Sequence, residues 1–281
     1  MKNIVACIDG SPLTQQVIEA SAWASEKLDT PLLLLHALEK QNSSEQDLSG
    51  TIGFGSREHL LTELTELDEQ RAKVALEHGK VLLEFAEAYL NGRDLKVTKL
   101  QRHGDFIETL EGIQDQTRLF VVGKQGIEHS KKAVIGSNLE NAARSLSQAI
   151  MVVSDEFKAP QNFMVAFDGR ETSINALERI ANSPLLKGIP CHLVMVKRNV
   201  ADQEDALEKA RHKLNGLGFK VESHFIEGDS IHTALLNYQQ KNQIDLIAMG
   251  AYAHSKVRQF FVGSNTTKML TDCQVPVLIL R

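Results

Sequence analysis

The chain has 281 residues, 42% of them hydrophobic and 24% charged, a globular composition with enough apolar material for two cores. Its formal net charge of −5, with both signs interspersed, argues against a broad basic surface for a nucleic-acid backbone. The longest apolar runs, Pro31 to Leu35 and Val275 to Leu280, are too short to span a bilayer, so no membrane partner is expected.

The chain starts Met1-Lys2-Asn3-Ile4-Val5, which enters a strand pattern directly and shows no signal-peptide architecture; a cytoplasmic location is the expectation. Strands are expected near 3–9, 31–37, 95–101, 118–123 and 149–154, and again near 162–168, 190–196, 219–226, 244–249 and 275–280. Each is a nearly continuous apolar run, as a strand buried on both faces requires, and amphipathic helical stretches alternate with them. Ser11 followed by Pro12 reads as the start of the first helix. Gln41 to Ser56 is polar and glycine-bearing and reads as a loop. From Ser56, taken as a cap, Leu60, Leu64, Leu67, Val74, Leu82 and Phe85 recur at helical spacing, with His78 near their apolar face as a packed side chain. Glu63, Glu66, Asp68 and Glu69 read as the solvated face of that helix. Gly104-Asp105 and Gly228-Asp229 read as turn and cap chemistry. Cys7, Cys191 and Cys273 lie in or beside apolar segments and form no C-x-x-C pair, so buried free thiols are expected.

The order repeats. Ile4 to Gly10 and Phe163 to Gly169 are both apolar runs ending in Asp-Gly, with the aspartates 168 − 9 = 159 positions apart. Pro31 and Pro190 share that offset of 159. Gly123 and Gly250, and Gly136-Ser137-Asn138 and Gly263-Ser264-Asn265, are instead 127 apart, so the first copy carries 159 − 127 = 32 extra residues in its middle. Two domains follow, 1–154 with a helical insertion at about 41–90, and 162–281, joined by Asp155 to Gln161. A joint this short implies that the domains pack together.

Open parallel sheets bind ligands at the carboxyl ends of their strands, where strand order reverses. There the first copy has Gly123-Lys124-Gln125-Gly126, nine residues, then Gly136-Ser137, a G-x2-G-x9-G-S pattern. Glycine lets a backbone approach a ligand closely, and Gly-Ser at a helix start offers N–H groups, a hydroxyl and the positive helix end to phosphate oxygens. The second copy keeps the spacing, but Ala253 stands where the second glycine would be. His254, Lys256 and Arg258, and in the first copy His129, Lys131 and Lys132, lie within the loops, either as phosphate partners or as ordinary surface charge. Neither loop matches the Walker or the dinucleotide pattern, and no nucleophile–base motif or zinc spacing occurs.

The strand ending Asp9-Gly10-Ser11, the Leu35-His36 strand end and the G-x2-G-x9-G-S loop resemble the universal stress protein family, over essentially the whole chain. Met249 to Ser255 is similar to tandem bacterial members. The resemblance implies two five-stranded parallel-sheet domains of the adenine nucleotide alpha hydrolase-like, Rossmann-like type. They would be related by a pseudo-twofold axis, with the last strands near Met151 and Val277 in contact. It implies ATP (or AMP or ADP) as ligand, with Mg2+ or Mn2+. Asp9 and Asp168 would lie by the ribose or a nucleotide-bound cation, and Ala37 and Val196 by the adenine. Gly123, Gly126, Gly136, Ser137 and Asn138 would cradle phosphate in the first domain. Gly250, Ala253, His254, Arg258, Gly263, Ser264 and Asn265 would do so in the second. The expected function is a stress-response regulatory or protective module with at most slow ATP hydrolysis. Departures leave two rivals open. Arg170 replaces Ser11; Ala253, Glu128 in the first loop and the insertion, which could cover the first pocket, favour an interaction protein with degenerate pockets. The other rival is an ATP-dependent enzyme of the related superfamily. A homo-oligomer and a protein partner also remain open.

Overall fold

The computed structural model describes residues 2–38, 54–125, 137–198, 202–250 and 264–281. All ten expected strands form, and they join one ten-stranded sheet. The first half supplies β1 (Asn3–Cys7), β2 (Leu32–Leu38), β3 (Val97–His103), β4 (Thr117–Gly123) and β5 (Ala149–Val153). The second supplies β6 (Phe163–Ala166), β7 (Cys191–Val196), β8 (Val221–Ile226), β9 (Ile247–Gly250) and β10 (Val277–Leu280). Their order is β3-β2-β1-β4-β5-β10-β9-β6-β7-β8, so each half runs third, second, first, fourth, fifth and the two meet fifth to fifth. Pairing is parallel throughout except at that seam, where Val277, Leu278 and Ile279 pair antiparallel with Val152, Met151 and Ile150. Pro276, which has no N–H to give a ladder, stands just before β10 and accepts from Ile247 N.

Side chains of successive strand residues enter opposite cores, which is why the runs are apolar without alternation. Ile4 and Ala6 join one core with Leu32, Leu34, Leu119 and Val121, while Val5 and Cys7 join the other with Phe120 and Val122. The first core lies under α1 (Thr14–Leu28), α2 (Phe54–Tyr89), α5 (Glu171–Ala181) and α6 (Gln203–Gly216). The second lies under α3 (Phe106–Ile113), α4 (Ser137–Ser145), α7 (Ile231–Lys241) and α8 (Ser264–Asp272).

The joint is pinned on both sides. Phe157 N donates to Gln16 Oε1 at 2.7 Å, the Phe157 ring packs 5.8 Å from Trp23, and Gln161 N donates to Asp245 Oδ2 at 2.8 Å. Across the seam, Ser154 Oγ donates to Gln274 O, and Arg281 Nη1 to Arg144 O and Leu146 O.

Three local expectations change. The first helix starts at Thr14, so Ser11 is not its cap; Ser11 Oγ instead accepts from Leu13 N at 3.3 Å within the preceding turn. Helix α2 starts at Phe54, so Ser56 lies inside it. Asp105 caps α3 through Glu108 N, as expected, but in the second half Ser230 rather than Asp229 caps α7.

Candidate functional site

In each half the strand order reverses between the first and fourth strands, at β1/β4 and at β6/β9. The Asp-Gly turns sit at the carboxyl ends of β1 and β6 and are built alike. Asp9 Oδ1 accepts from Ser11 N at 2.9 Å, and Asp168 Oδ1 accepts from Arg170 N at 3.0 Å. Gly10 has φ +80° and Gly169 φ +75°, the left-handed region that glycine enters without strain. Thr14 Oγ1 reaches Asp9 Oδ1, and at the equivalent place Ser173 Oγ accepts from Asp168 N. The turns differ in charge. The Arg170 guanidinium lies 3.7 Å from Asp168 Oδ2, whereas Asp9 has no basic partner among the described residues.

Gly123 and Gly250 end β4 and β9 beside these turns. A Cβ on Gly123 would meet Leu13 Cβ at 3.3 Å. A Cβ on Gly250 would lie 2.4 Å from Thr172 O and 2.7 Å from its carbonyl carbon, so α5 approaches β9 more closely than any side chain allows. Ala37 lies in β2 and Val196 ends β7, each on the strand next to the turn. Ser137 and Ser264 open α4 and α8, with Asn138 and Asn265 next, so each Gly-Ser pair leads into a helix start. Gly126, Glu128, Gly136, Ala253, His254, Ser255, Lys256, Arg258 and Gly263 lie outside the described residues, as do His129, Lys131 and Lys132 and the 41–53 part of the expected loop.

The insertion does not form a separate unit. Leu82 and Ala206 occupy equivalent places, since 206 − 82 = 124 is the offset of the Gly-Asp pairs, and each lies against its own Asp-Gly turn. Helix α6 begins near that point, whereas α2 continues a further 25 residues toward its N-terminus. The insertion thus lengthens the ordinary crossover helix. Residues 62–78 are exposed, and His78 at their end lies beside the first Asp-Gly turn, where its Cε1 would be 3.6 Å from a Cβ on Gly10. What differs at the turn is bulk: a Cβ on Gly10 would lie 3.1 Å from Leu82 Cδ1, and one on Gly169 would lie 3.6 Å from Ala206 Cβ. His78, expected to be packed, is exposed; Gly79 beside it is buried and brings α2 onto His36 and Gln101. His36 Nδ1 lies 2.6 Å from Ile8 O, tying β2 to the end of β1.

Other reactive groups have structural roles. All three cysteines are buried and free. Burial pushes the Cys191 thiol up to about 12, the Cys273 thiol up to about 11, and the Cys7 thiol higher, so none is a ready nucleophile. Lys124, inside the first loop, turns toward the other half and donates to Cys273 O at 2.9 Å; burial lowers its pKa. A cleft of about 880 Å3 between the halves, with Lys2, Arg118, Arg179 and Arg281 in its wall, opens at the amino ends of β1, β4 and β5, away from Asp9.

One cluster has no counterpart in the sequence reading. His192 on β7 and Glu222 and His224 on β8 place ligand-type atoms within 4.8 Å of one another. His192 Nδ1 lies 2.8 Å from the Tyr238 hydroxyl of α7. Burial, and then His224, hold His192 below its ordinary value, and burial pushes Tyr238 up to about 12. Cross-strand register brings these residues together, and a sequence alone does not give register. The only signal was two histidines in consecutive predicted strands.

Comparisons with known proteins agree over the whole length. A universal stress protein of Synechocystis is 32% identical over an alignment spanning 100% of both chains. The crystal structure of a universal stress protein from Archaeoglobus fulgidus superposes with a TM-score of 0.72 at 19% identity, covering 99% of this chain and 98% of its own. A functionally unknown protein from Pseudomonas aeruginosa gives 0.61 at 15% identity, covering 100% and 92%. No described helix is long and apolar enough to cross a membrane. The model of the Universal stress protein family matches residues 1–154 and 197–281, and the chain belongs to that family.

Proposed function

We propose that the chain is a stress-response module that binds adenine nucleotides at the carboxyl ends of its strands, with ATP and a divalent cation as ligand. One observation carries the reading. At both switch points an Asp-Gly turn stands next to a strand-ending glycine, and the loop from that glycine runs to a helix opened by serine. A helix N-terminus supplies N–H groups and positive potential for phosphate, and the turn supplies a carboxylate for the ribose or a bound cation. Asp9, Ala37, Gly123, Ser137 and Asn138 would hold nucleotide in the first half, with Gly126 and Gly136 of the loop. Asp168, Val196, Gly250, Ser264 and Asn265 would do so in the second, with Ala253, His254, Arg258 and Gly263. Both pockets take nucleotide and the first binds more tightly, because Asp9 has no basic partner among the described residues whereas Asp168 is paired with Arg170. Binding then acts through linkage: a nucleotide that prefers one conformation stabilises it and the partner surface that goes with it. Mass spectrometry of ligands released from the purified native protein tests the class of ligand. Adenine nucleotide in the released fraction supports the reading. A protein that releases none and takes up none from added ATP is instead an interaction module with degenerate pockets.

A further inference from the structure

We propose that His192, Glu222 and His224 form a binding site for a divalent cation of the zinc class, separate from both strand-end pockets. In the β7–β8 register His192 stands opposite Glu222, and Val194 stands opposite His224. Residues two apart on a strand share a face, so Glu222 and His224 point the same way. The two imidazoles are stacked, with centroids 5.4 Å apart and planes 16° apart. Glu222 Oε2 lies 3.6 Å from His224 Nε2, and all three ligand-type atoms lie within 4.8 Å of one another. His224 Nε2 is buried without a hydrogen-bond partner, and an uncompensated buried polar atom is costly. Tyr238 supplies the outer support usual for a ligating imidazole, since its hydroxyl holds His192 Nδ1 at 2.8 Å and leaves Nε2 for an ion. Two histidines and one carboxylate are a zinc donor set with an open position for water, and the edge location of β8 leaves a path in. The test is calorimetric titration of the full chain with Zn2+, with Co2+ absorption as a second readout. One ion per chain is expected. His192→Gln and His224→Gln should each lose that binding, and Tyr238→Phe should weaken it roughly 10- to 100-fold. Far-ultraviolet circular dichroism checks that each variant stays folded. Absence of binding in the wild type, or unchanged affinity in either histidine variant, overturns the site.

A separate observation concerns the lengthened helix. Leu64, Leu67, Val74, Val81 and Phe85 of α2 are 46%, 48%, 70%, 54% and 52% exposed. With Arg71 and His78 they form an unbroken three–four repeat, the spacing of a coiled-coil seam. Apart from His78, whose Cε1 would lie 3.6 Å from a Cβ on Gly10, the seam lies away from Gly79, Leu83 and Ala86, which face the protein's own core. Charge along the helix is divided. Residues 62–70 carry four acidic and no basic side chains, and residues 71–80 carry three basic and one acidic. We infer that α2 pairs antiparallel with α2 of a second copy, so that the acidic stretch of each lies beside the basic stretch of the other. A parallel pair would set like charges side by side. In the register that matches the stripes, Leu64 meets the partner's Val81, Leu67 the partner's His78, and Arg71 the partner's Val74. The contact is the same on both copies and closes as a twofold dimer. Sedimentation velocity of the full chain should show a concentration-dependent dimer that Val74→Glu abolishes. The double variant Leu67→Cys with His78→Cys should crosslink between chains on mild oxidation, and Leu67→Cys alone should not. A monomer at every concentration, a dimer that survives Val74→Glu, or crosslinking by Leu67→Cys alone overturns the pairing.

Discussion

The two halves build one strand-end turn twice and then surround it differently. Asp9-Gly10 and Asp168-Gly169 share the aspartate-to-backbone bond and the left-handed glycine, so turn geometry follows from the short motif alone. The surroundings follow from single residues elsewhere. Arg170 pairs with Asp168 where Ser11 leaves Asp9 without a cation, Leu82 presses on the first turn where Ala206 barely touches the second, and Thr172 crowds Gly250 where Leu13 only touches Gly123. A duplicated motif therefore preserves the frame of a site, while its charge and tightness depend on neighbours that the motif does not contain.

The largest expected effect is on pH stability, where the halves differ by thiol count. Cys7 lies in the first half, Cys191 and Cys273 in the second. Burial raises all three above the ordinary 9.0, so above that pH the unfolded chain releases protons that the folded chain retains. Stability is then complete below 9.0 and is lost as pH rises toward about 11 for Cys273 and about 12 for Cys191. Each thiol contributes a slope of at most about 1.4 kcal/mol per pH unit. Lys124, lowered from 10.5 by burial, opposes this, because it loses its proton more readily in the fold. Tyr238, also raised by burial, acts with the thiols, and four groups against one predict a net loss. Urea unfolding across this range checks it, and Cys191→Ala should flatten the slope; a midpoint constant with pH breaks the account.

Next in size is the matched pair Gly250→Ala and Gly123→Ala. The first forces a methyl onto the backbone of Thr172 and should cost about 3 kcal/mol or more, whereas the second meets the Leu13 side chain at 3.3 Å and Gln125 O at an ordinary 3.5 Å and should cost about 1 kcal/mol or less. Equal losses in urea unfolding would mean that the two strand ends are not crowded differently. Gly126→Ala should weaken ATP binding in the first half by about 1 kcal/mol, through lost backbone freedom near phosphate. Titration calorimetry reads that, and unchanged affinity would move the tighter site to the second half. The smallest effect is that of Arg170→Ser, which makes the second turn like the first. The ion pair is exposed, so stability should change by less than about 0.5 kcal/mol while the weaker nucleotide site tightens.

The sheet was largely legible because it rests on local pattern. Runs such as Ile4 to Ile8 and Phe163 to Phe167, buried on both faces, announce parallel strands, and the repeat offset gives the same succession of strands along each half, though not their order in the sheet. The contact of β5 with β10 came from the family resemblance, since no local pattern in Ala149 to Val153 names a partner, and its antiparallel register is seen only in the structure. Helix α2 was read in part. Its apolar spacing was plain, but whether Leu64 and Val74 face a core or water depends on what packs there, which periodicity cannot say. The frame of the candidate site was visible as Asp-Gly, the strand-end glycines and Gly-Ser. The crowding of Gly250 by Thr172 was not, because it depends on the distance between two elements 78 residues apart, 250 − 172 = 78.

The most direct test is calorimetric titration of the intact chain with ATP and Mg2+. The account predicts two binding events per chain with unequal affinities, the tighter one in the first half and weakened by Gly126→Ala. Titration without heat, or a single event indifferent to changes at Gly126 and Arg258 alike, would contradict it.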